Sequence, residues 1–138
     1  MSDDPLLPVS YRLALIPGRY AICRLPAVAE LPDWARLAQA SPEHLLSLIW
    51  RRDETSIVCP ERFVPPEIEA ERGWRVLEVA GPLEFELVGV LASLLEPLKQ
   101  AGVSVFVLST FDTDLILIRE ALLDQAIRAL GKAGHLVE

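Results

Sequence analysis

Residues 102–119 read Gly-Val-Ser-Val-Phe-Val-Leu-Ser-Thr-Phe-Asp-Thr-Asp-Leu-Ile-Leu-Ile-Arg, and this stretch decides the fold of the chain. Two apolar runs of β-favouring residues, Val103–Leu108 and Leu115–Ile118, flank a polar segment at Ser109–Asp114. The pattern predicts two strands joined by a turn. We therefore expect the carboxylate of Asp114 at the mouth of an apolar hairpin.

The segments around this hairpin predict a complete structural unit. Trp74–Val79 is an apolar run typical of a strand, and Phe85–Gln100 has apolar residues at the three- and four-residue spacing of a helix. After the hairpin, Glu120–Lys132 has the pattern of a second helix, and His135–Val137 that of a short strand. The order β-α-β-β-α-β is that of the ferredoxin-like split unit.

The first half of the chain resembles an imperfect copy of the second. Asp53–Glu61 is similar to Asp112–Glu120 at an offset of 59 residues (112 − 53 = 59). Pro17-Gly18-Arg19 separates two strand-like runs, Tyr11–Ile16 and Tyr20–Leu25, and predicts a hairpin between them. That hairpin would supply the edge that a last strand normally fills, so we expect a permuted first unit.

The predicted fold class is accordingly α+β, with two ferredoxin-like units that each combine an antiparallel sheet with helices on one face. The expected domains are an N-terminal unit over residues 1–72 and a C-terminal unit over residues 73–138. A chain of 138 residues is long enough for two small units of this kind.

Composition excludes several classes of function. The net charge is −7 and Lys and Arg are dispersed, which argues against a nucleic-acid partner. Apolar runs are far shorter than a membrane span, and the first residues lack the pattern of a signal peptide, so we expect a cytoplasmic protein without a membrane partner. Cys23 and Cys59 lie in apolar strand-like runs and are expected to be buried, reduced thiols.

Motifs for catalysis, metals and cofactors are missing from the sequence. His44 and His135 lie far apart, and no Cys-x-x-Cys pair exists, so no metal is expected. Nucleotide-binding glycine motifs are absent, so no cofactor is expected. Ser109 and Thr110 have no histidine in their motif to act as a base. We expect no catalytic residues; clustered Ser, Thr and Asp in one turn are the only support for an enzyme.

One constellation indicates a binding site. The first N–H groups of the helix predicted from Phe85 have no partners within the helix and attract an anion. Gly89 lets a ligand approach that turn, and Thr110 and Asp114 lie at the same end of a ferredoxin-like sheet. This arrangement suits a zwitterion, with its carboxylate at the helix start and its ammonium at Asp114. Close helix packing at Gly89 and turn capping by Asp114 remain alternatives.

The residues from Gly81 to Arg119 resemble those of small bacterial ACT-domain proteins, and are similar to each half of the CASTOR arginine sensors. The resemblance rests on Gly-x-x-Ala-x-x-x-x-Pro-Leu from Gly89 and on Ser-Thr-Phe-x-x-Asp from Ser109. ACT domains are ferredoxin-like modules that bind amino acids between paired units and usually regulate another activity. The resemblance implies a ligand site made by Glu84, Phe85, Glu86, Leu87, Val88, Gly89, Ser104, Val105, Thr110, Phe111 and Asp114.

The resemblance also implies an assembly. The sensors have four ACT units in one chain and this chain has about two, so a homodimer would restore four. A non-catalytic, regulatory amino-acid-binding protein is the function implied. The alternative is a structural dimerisation module that has lost its ligand. Thr55 stands where the second half has Asp114, so we expect no equivalent site in the first half.

Overall fold

The computed structural model describes residues 10–27, 30–42, 45–80 and 89–138. These residues form seven strands, three α-helices and two short 3-10 turns. In chain order the elements are β1 (Arg12–Leu25), α1 (Asp33–Gln39), β2 (Ser47–Trp50), β3 (Thr55–Pro60), a 3-10 turn (Glu61–Phe63), β4 (Ala70–Val79), α2 (Val90–Gln100), β5 (Val105–Ser109), β6 (Asp114–Arg119), a second 3-10 turn (Glu120–Leu122), α3 (Leu123–Lys132) and β7 (Leu136–Val137).

The chain divides into two compact units. The N-terminal unit is Pro17–Arg75, and the C-terminal unit comprises the residues up to Ile16 together with those from Val76 onward. The N-terminal unit is one continuous segment and the C-terminal unit is formed from two, and strands β1 and β4 each contribute residues to both units.

The C-terminal unit has the predicted ferredoxin-like elements with one strand added. Its strand order is β7-β1-β4-β6-β5. The hairpin predicted from the sequence is confirmed, because β5 and β6 pair antiparallel from Val105 opposite Ile118 to Ser109 opposite Asp114. The first residues of β1 lie between β7 and β4, where a ferredoxin-like sheet pairs its last strand with its first. Strand β7 consequently runs parallel to β1, with Arg12 opposite Leu136.

Apolar side chains from α2, α3 and the sheet form the core of the C-terminal unit. Leu94 and Leu98 of α2 and Leu130 of α3 are buried in one cluster with Ile116 and Ile118 of β6. The neighbouring residues of β6 are buried as well, so the strand is covered on both faces. This explains its continuous apolar sequence, which lacks the alternation of a half-exposed strand.

Helix α2 begins later than the sequence predicted. It starts at Val90, whereas the apolar spacing predicted a start at Phe85. The predicted turn Phe85–Val88 lies outside the described residues. The buried stripe is Val90, Leu94 and Leu98, at the four-residue spacing of one helical face.

The N-terminal unit shows that the predicted permutation is wrong. Strand β1 runs without a break through Pro17-Gly18-Arg19, so the expected hairpin does not form. The strand order is β2-β3-β1-β4, the regular ferredoxin-like arrangement, and the first residues of β4 fill the edge beside β1. The N–H of Arg24 donates to the carbonyl of Glu69 at that edge (2.9 Å). Gly18 takes a φ of 89° within the strand, an angle that glycine adopts readily, so the strand passes through Pro17-Gly18 without forming a turn.

The internal repeat predicted from the sequence is present in the secondary structure. An offset of 59 residues (114 − 55 = 59) carries the first residue of β3 onto that of β6. The same offset carries the 3-10 turn at Glu61–Phe63 onto the turn at Glu120–Leu122. The two units therefore share a strand-helix-strand-strand-turn framework. They differ after the turn, where α3 follows in the C-terminal unit and residues 64–69 lead directly to β4 in the N-terminal unit.

Candidate functional site

The turn between β5 and β6 is held by its own hydrogen bonds. The N–H of Thr110 donates to the carbonyl of Thr113 (2.8 Å). The hydroxyl oxygen of Thr110 accepts from the N–H groups of Thr113 (3.1 Å) and Asp112 (3.3 Å). This side chain, predicted to contact a ligand, therefore has a role in shaping the turn. Asp112 is exposed at the tip of the turn.

Asp114 is fixed by a neighbour that sequence reasoning had not assigned to the site. Ser109 lies opposite Asp114 in the strand ladder, and its hydroxyl donates to Oδ1 of Asp114 (2.7 Å). The aspartate is half-buried. A carboxylate has about four lone-pair positions, so one bond from a hydroxyl orients the group and leaves capacity for a further donor.

A second threonine attaches the turn to the sheet. The Oγ1 hydroxyl of Thr113 donates to the carbonyl of Val79, the last residue of β4. The turn that holds Asp114 thus lies at the end of the sheet where β4 finishes. Residues 81–88, which include the predicted site residues Glu84, Phe85, Glu86, Leu87 and Val88, lie outside the described residues.

Gly89 is the residue that precedes α2. Its φ of 84° lies in the left-handed region, which glycine adopts without the steric cost that other residues have. Among the described residues, no side chain is found to cap the first helical turn, and the hydroxyl of Ser93 donates to the carbonyl of Gly89 (2.9 Å). The first N–H groups of α2 have no partners within the helix, and the helix starts at Val90, about one turn after the predicted start at Phe85.

His135 contacts the first turn of α2. From the sequence, this residue is considered only as a possible metal ligand, and that role is rejected. It is buried, and its Nδ1 accepts from the N–H of Tyr11 (3.1 Å). That nitrogen carries no proton, so Nε2 carries it and donates to the carbonyl of Ser93 (3.2 Å). The rings of Tyr11 and His135 stack with their centroids 5.8 Å apart.

A proline explains why Ser93 needs this donor. In an α-helix the carbonyl of Ser93 accepts from the N–H four residues later, and that residue is Pro97, which has no N–H. His135 supplies the missing donor from another part of the chain. The sequence held a signal for this interaction, since a proline inside a helix leaves one identifiable carbonyl unpaired.

The remaining predicted contacts do not all lie near Asp114. Val105 begins β5 opposite Ile118, four residues along the strand from Ser109, which is about 13 Å at the usual rise. Ser104 directly precedes it and is exposed. These two residues lie at the far end of the hairpin from Asp114 within this chain. Phe111 is at the near end and is 81% exposed.

A cavity of about 250 Å³ lies elsewhere, in the N-terminal unit. It is lined by Pro17, Gly18, Arg19, Tyr20, Pro60, Glu61 and Arg62. The Glu61 carboxylate in its wall accepts from the N–H of Gly73 (2.8 Å) and lies 3.5 Å from Nε of Arg19. The carboxylate thus connects β1, the 3-10 turn and β4, which is a structural role.

Within the described residues, no group of three or more His, Cys, Asp or Glu side chains is placed to hold a metal ion. In the same part of the chain, no helix is both long and apolar enough to cross a membrane.

Comparison with known families agrees with the fold. Residues 69–132 match a family model described as an ACT domain. A second model, for the N-terminal domain of a group of similar proteins, matches residues 18–67. The crystal structure of a protein from Agobacterium tumefaciens is 32% identical in sequence, with a TM-score of 0.84, and the alignment covers 94% of this chain and 93% of that one. The chain belongs to the same family as this protein. It contains an ACT domain.

More distant structures share the fold of this ACT-domain protein. A Vibrio cholerae protein of unknown function, described as a possible transport protein, has 20% identity and a TM-score of 0.71, with 90% of each chain covered. The regulatory subunit of aspartate kinase from Thermus thermophilus has 14% identity and a TM-score of 0.57, covering 93% of this chain and 99% of that chain. No curated protein matches the sequence.

Proposed function

We propose that the chain is a non-catalytic regulatory module that binds a free amino acid in its C-terminal unit. The observation that supports this most directly is the Ser109–Asp114 hydrogen bond, because it holds a carboxylate in place at the end of the sheet where β4 finishes. Helix α2 is the next described element after β4. The ligand's ammonium group would pair with Asp114, and its carboxylate would take the helix N–H groups.

Two further features support the proposal. The fold is shared with a protein named as the regulatory subunit of aspartate kinase, which favours a regulatory role for this chain. The proposed site would combine a carboxylate with a set of backbone N–H donors, which complement the ammonium and the carboxylate of an amino acid. The motifs shared with the arginine sensors do not include residues that would select the side chain of the ligand. The identity of the amino acid is therefore to be found by screening.

Assembly is part of the proposal. Strand β5 ends the sheet of the C-terminal unit, and among the described strands only β6 pairs with it. A homodimer with two C-terminal units side by side would bring Ser104 and Val105 of one copy toward a ligand shared with the other copy. This accounts for their distance from Asp114 in one chain. Twofold symmetry then gives two equivalent sites for each dimer.

Thermal-shift screening of the standard amino acids, followed by calorimetry, tests the proposal. A ligand present at 100 times its dissociation constant stabilises the folded state by about 2.7 kcal/mol. We expect Asp114→Asn to weaken binding by about 10-fold to 100-fold, the range for a hydrogen bond to a charged group. Asp112→Asn is the matched control, two residues away and exposed, and should stay within about twofold.

A structural dimerisation module is the second candidate. It is favoured by the exposed ring of Phe111 at the tip of the hairpin. A dimer by analytical ultracentrifugation that responds to no amino acid at millimolar concentration would reject the first function and favour this one.

A further inference from the structure

Two cysteines face each other in the core of the N-terminal unit. Cys23 of β1 and Cys59 of β3 are 1% and 0% exposed and belong to one apolar cluster. In the antiparallel ladder Cys23 lies opposite Ile57 and Cys59 lies opposite Ala21, so the cysteines are diagonal neighbours on one face of the sheet. Their thiols are close enough to interact, and each affects the pKa of the other.

Packing alone does not require sulfur at these positions. The offset of 59 residues carries Cys59 onto Ile118, which fills the equivalent place in the core of the C-terminal unit. An aliphatic side chain thus satisfies this position in the repeated framework. The N-terminal unit has two thiols in contact instead, and a contact between two thiols has chemistry that two aliphatic groups lack.

The two thiols differ in their surroundings. The hydrogen bond from Cys59 lowers the pKa of the Cys23 thiol, opposed by burial and assisted by the charge of Arg72. The same hydrogen bond and burial raise the pKa of Cys59. Arg72 is held by the backbone, since its Nη2 donates to the carbonyl of Pro65 (2.9 Å). Cys23 is therefore the thiol of the pair that loses its proton more readily, and Cys59 the one that holds it more tightly.

We propose that Cys23 and Cys59 form a reversible oxidation site, which closes into a disulfide between β1 and β3 when the protein meets a peroxide. The Cys23 thiolate attacks hydrogen peroxide and breaks its O–O bond, giving a sulfenic acid and hydroxide. The sulfur of Cys59 then attacks the Cys23 sulfur, the S–O bond breaks, and the Cys59 proton leaves with the oxygen as water. The hydroxide takes up the proton that Cys23 released on ionisation, so in sum two thiols and one hydrogen peroxide give one disulfide and two waters.

The diagonal register favours a switch over a permanent crosslink. Diagonal neighbours across a strand pair have Cα atoms about 7–8 Å apart, above the usual range for a disulfide. Closing the bond must therefore draw β1 and β3 together, and a strained disulfide is more easily reduced than an unstrained one. Burial of both sulfurs limits the reaction to moments when the sheet opens locally, which makes it slow and selective.

Peptide mapping of the intact protein tests the proposal. Folded protein is treated with hydrogen peroxide, blocked with iodoacetamide, and digested with trypsin. We expect the intact mass to fall by about 2 Da, the mass of two hydrogen atoms. We also expect the peptides 20–24 and 53–62 to be joined, since Arg19, Arg24, Arg52 and Arg62 are the cleavage sites that release them. Dithiothreitol should restore two free thiols. Two unlinked, alkylated or overoxidised cysteines would overturn the proposal.

Single variants test the order of the steps. In Cys59→Ala the sulfenic acid on Cys23 has no partner, so dimedone should label Cys23 at least tenfold more than it labels Cys59 in Cys23→Ala. Equal labelling, or stronger labelling of Cys59, would contradict the assignment of Cys23 as the reacting thiol. If either variant fails to fold by circular dichroism, the peptide map of the unaltered protein decides the proposal alone.

Discussion

The two units of this chain share the same order of strands, helix and turn, but they carry different residues at the end of the equivalent hairpin. Strands β3 and β6 coincide at an offset of 59 residues, together with the 3-10 turns that follow them. At the first position of these strands the C-terminal unit has Asp114, half-buried and bonded to Ser109, whereas the N-terminal unit has Thr55, 1% exposed. Trp50 replaces Ser109 as the residue across the ladder.

This difference separates what the fold requires from what a ligand would require. Both units need apolar strands and a 3-10 turn at the same spacing, because those features build each core. The C-terminal unit has a carboxylate and a hydroxyl paired at the end of its hairpin, where the N-terminal unit has Thr55 and Trp50. The proposed site is thus an addition to one copy of a repeated scaffold.

The largest expected effect comes from truncating the equivalent core positions. Ile118→Ala should destabilise folding by about 2–5 kcal/mol, because it leaves a cavity among the buried side chains of α2 and α3. Cys59→Ala removes one sulfur and should cost about 1 kcal/mol, near the centre of the distribution for single substitutions. Urea unfolding followed by circular dichroism measures both.

Leu37→Ala serves as the exposed control, since this side chain of α1 is 62% exposed. It should change the free energy of unfolding by less than about 0.5 kcal/mol. Equal losses for Ile118→Ala and Cys59→Ala would mean that the two cores do not differ at this position, and would weaken the argument that the thiol is there for its chemistry.

The next largest effect on stability concerns a proline that lies inside α2 and has no counterpart in α1. Pro97 in α2 corresponds to Ala38 in α1 at the same offset, so only α2 leaves a carbonyl without its helical donor. His135→Leu removes the donor to Ser93 and the acceptor for Tyr11. We expect a loss of about 1–3 kcal/mol, the cost of buried polar groups without partners. Thermal unfolding with parallel urea titration measures it.

A double-mutant cycle isolates the role of the proline. Pro97→Ala restores an N–H at position 97 that can donate to the carbonyl of Ser93, so His135→Leu should cost less in that background, by about 0.5–1.5 kcal/mol. Ser10→Ala, which removes an exposed bond to the carbonyl of Gly134, is the control and should have little effect. Additive losses in the cycle would show that His135 does not act through the carbonyl of Ser93 and that its contacts with Tyr11 account for its effect.

Sequence patterns predicted the local structure of this chain well. The hairpin β5–β6, the helix α3 and the repeat at an offset of 59 follow from residue spacing, because strands and helices impose periods that a sequence displays. Asp114 stood out by contrast, as a charged residue directly before an apolar run. Its partner Ser109 was recognisable only once the register of the ladder was known.

Long-range pairing escaped prediction for a physical reason. Pro17 and Gly18 signal a turn locally, yet β1 continues through them because strands pair with it on both sides. Tertiary pairing therefore outweighs a local preference. The contact of Tyr11 with His135 joins residues 124 positions apart, and no period in a sequence records such a distance. Pro97 was the available clue, since it left one carbonyl that needed a donor.

The smallest effect tests the helix start that the proposed site depends on. Gly89→Ala places a side chain at a φ of 84°, while no atom of the described residues lies within 4 Å of the added Cβ. The cost is therefore conformational, about 1 kcal/mol for a left-handed residue after the gain from a stiffer unfolded chain. Denaturant unfolding measures it.

Gly131→Ala is the matched control within α3, because its added Cβ also meets no atom within 4 Å and its φ is not left-handed. It should stabilise the protein by about 0.5–1 kcal/mol, as alanine does in a helix. If Gly89→Ala lowers the free energy of unfolding and Gly131→Ala raises it, glycine is required at position 89 because of its backbone angle. If Gly89→Ala is instead neutral, the left-handed residue is not needed to start α2. The backbone donors that the proposed ligand requires would then not be fixed by the fold.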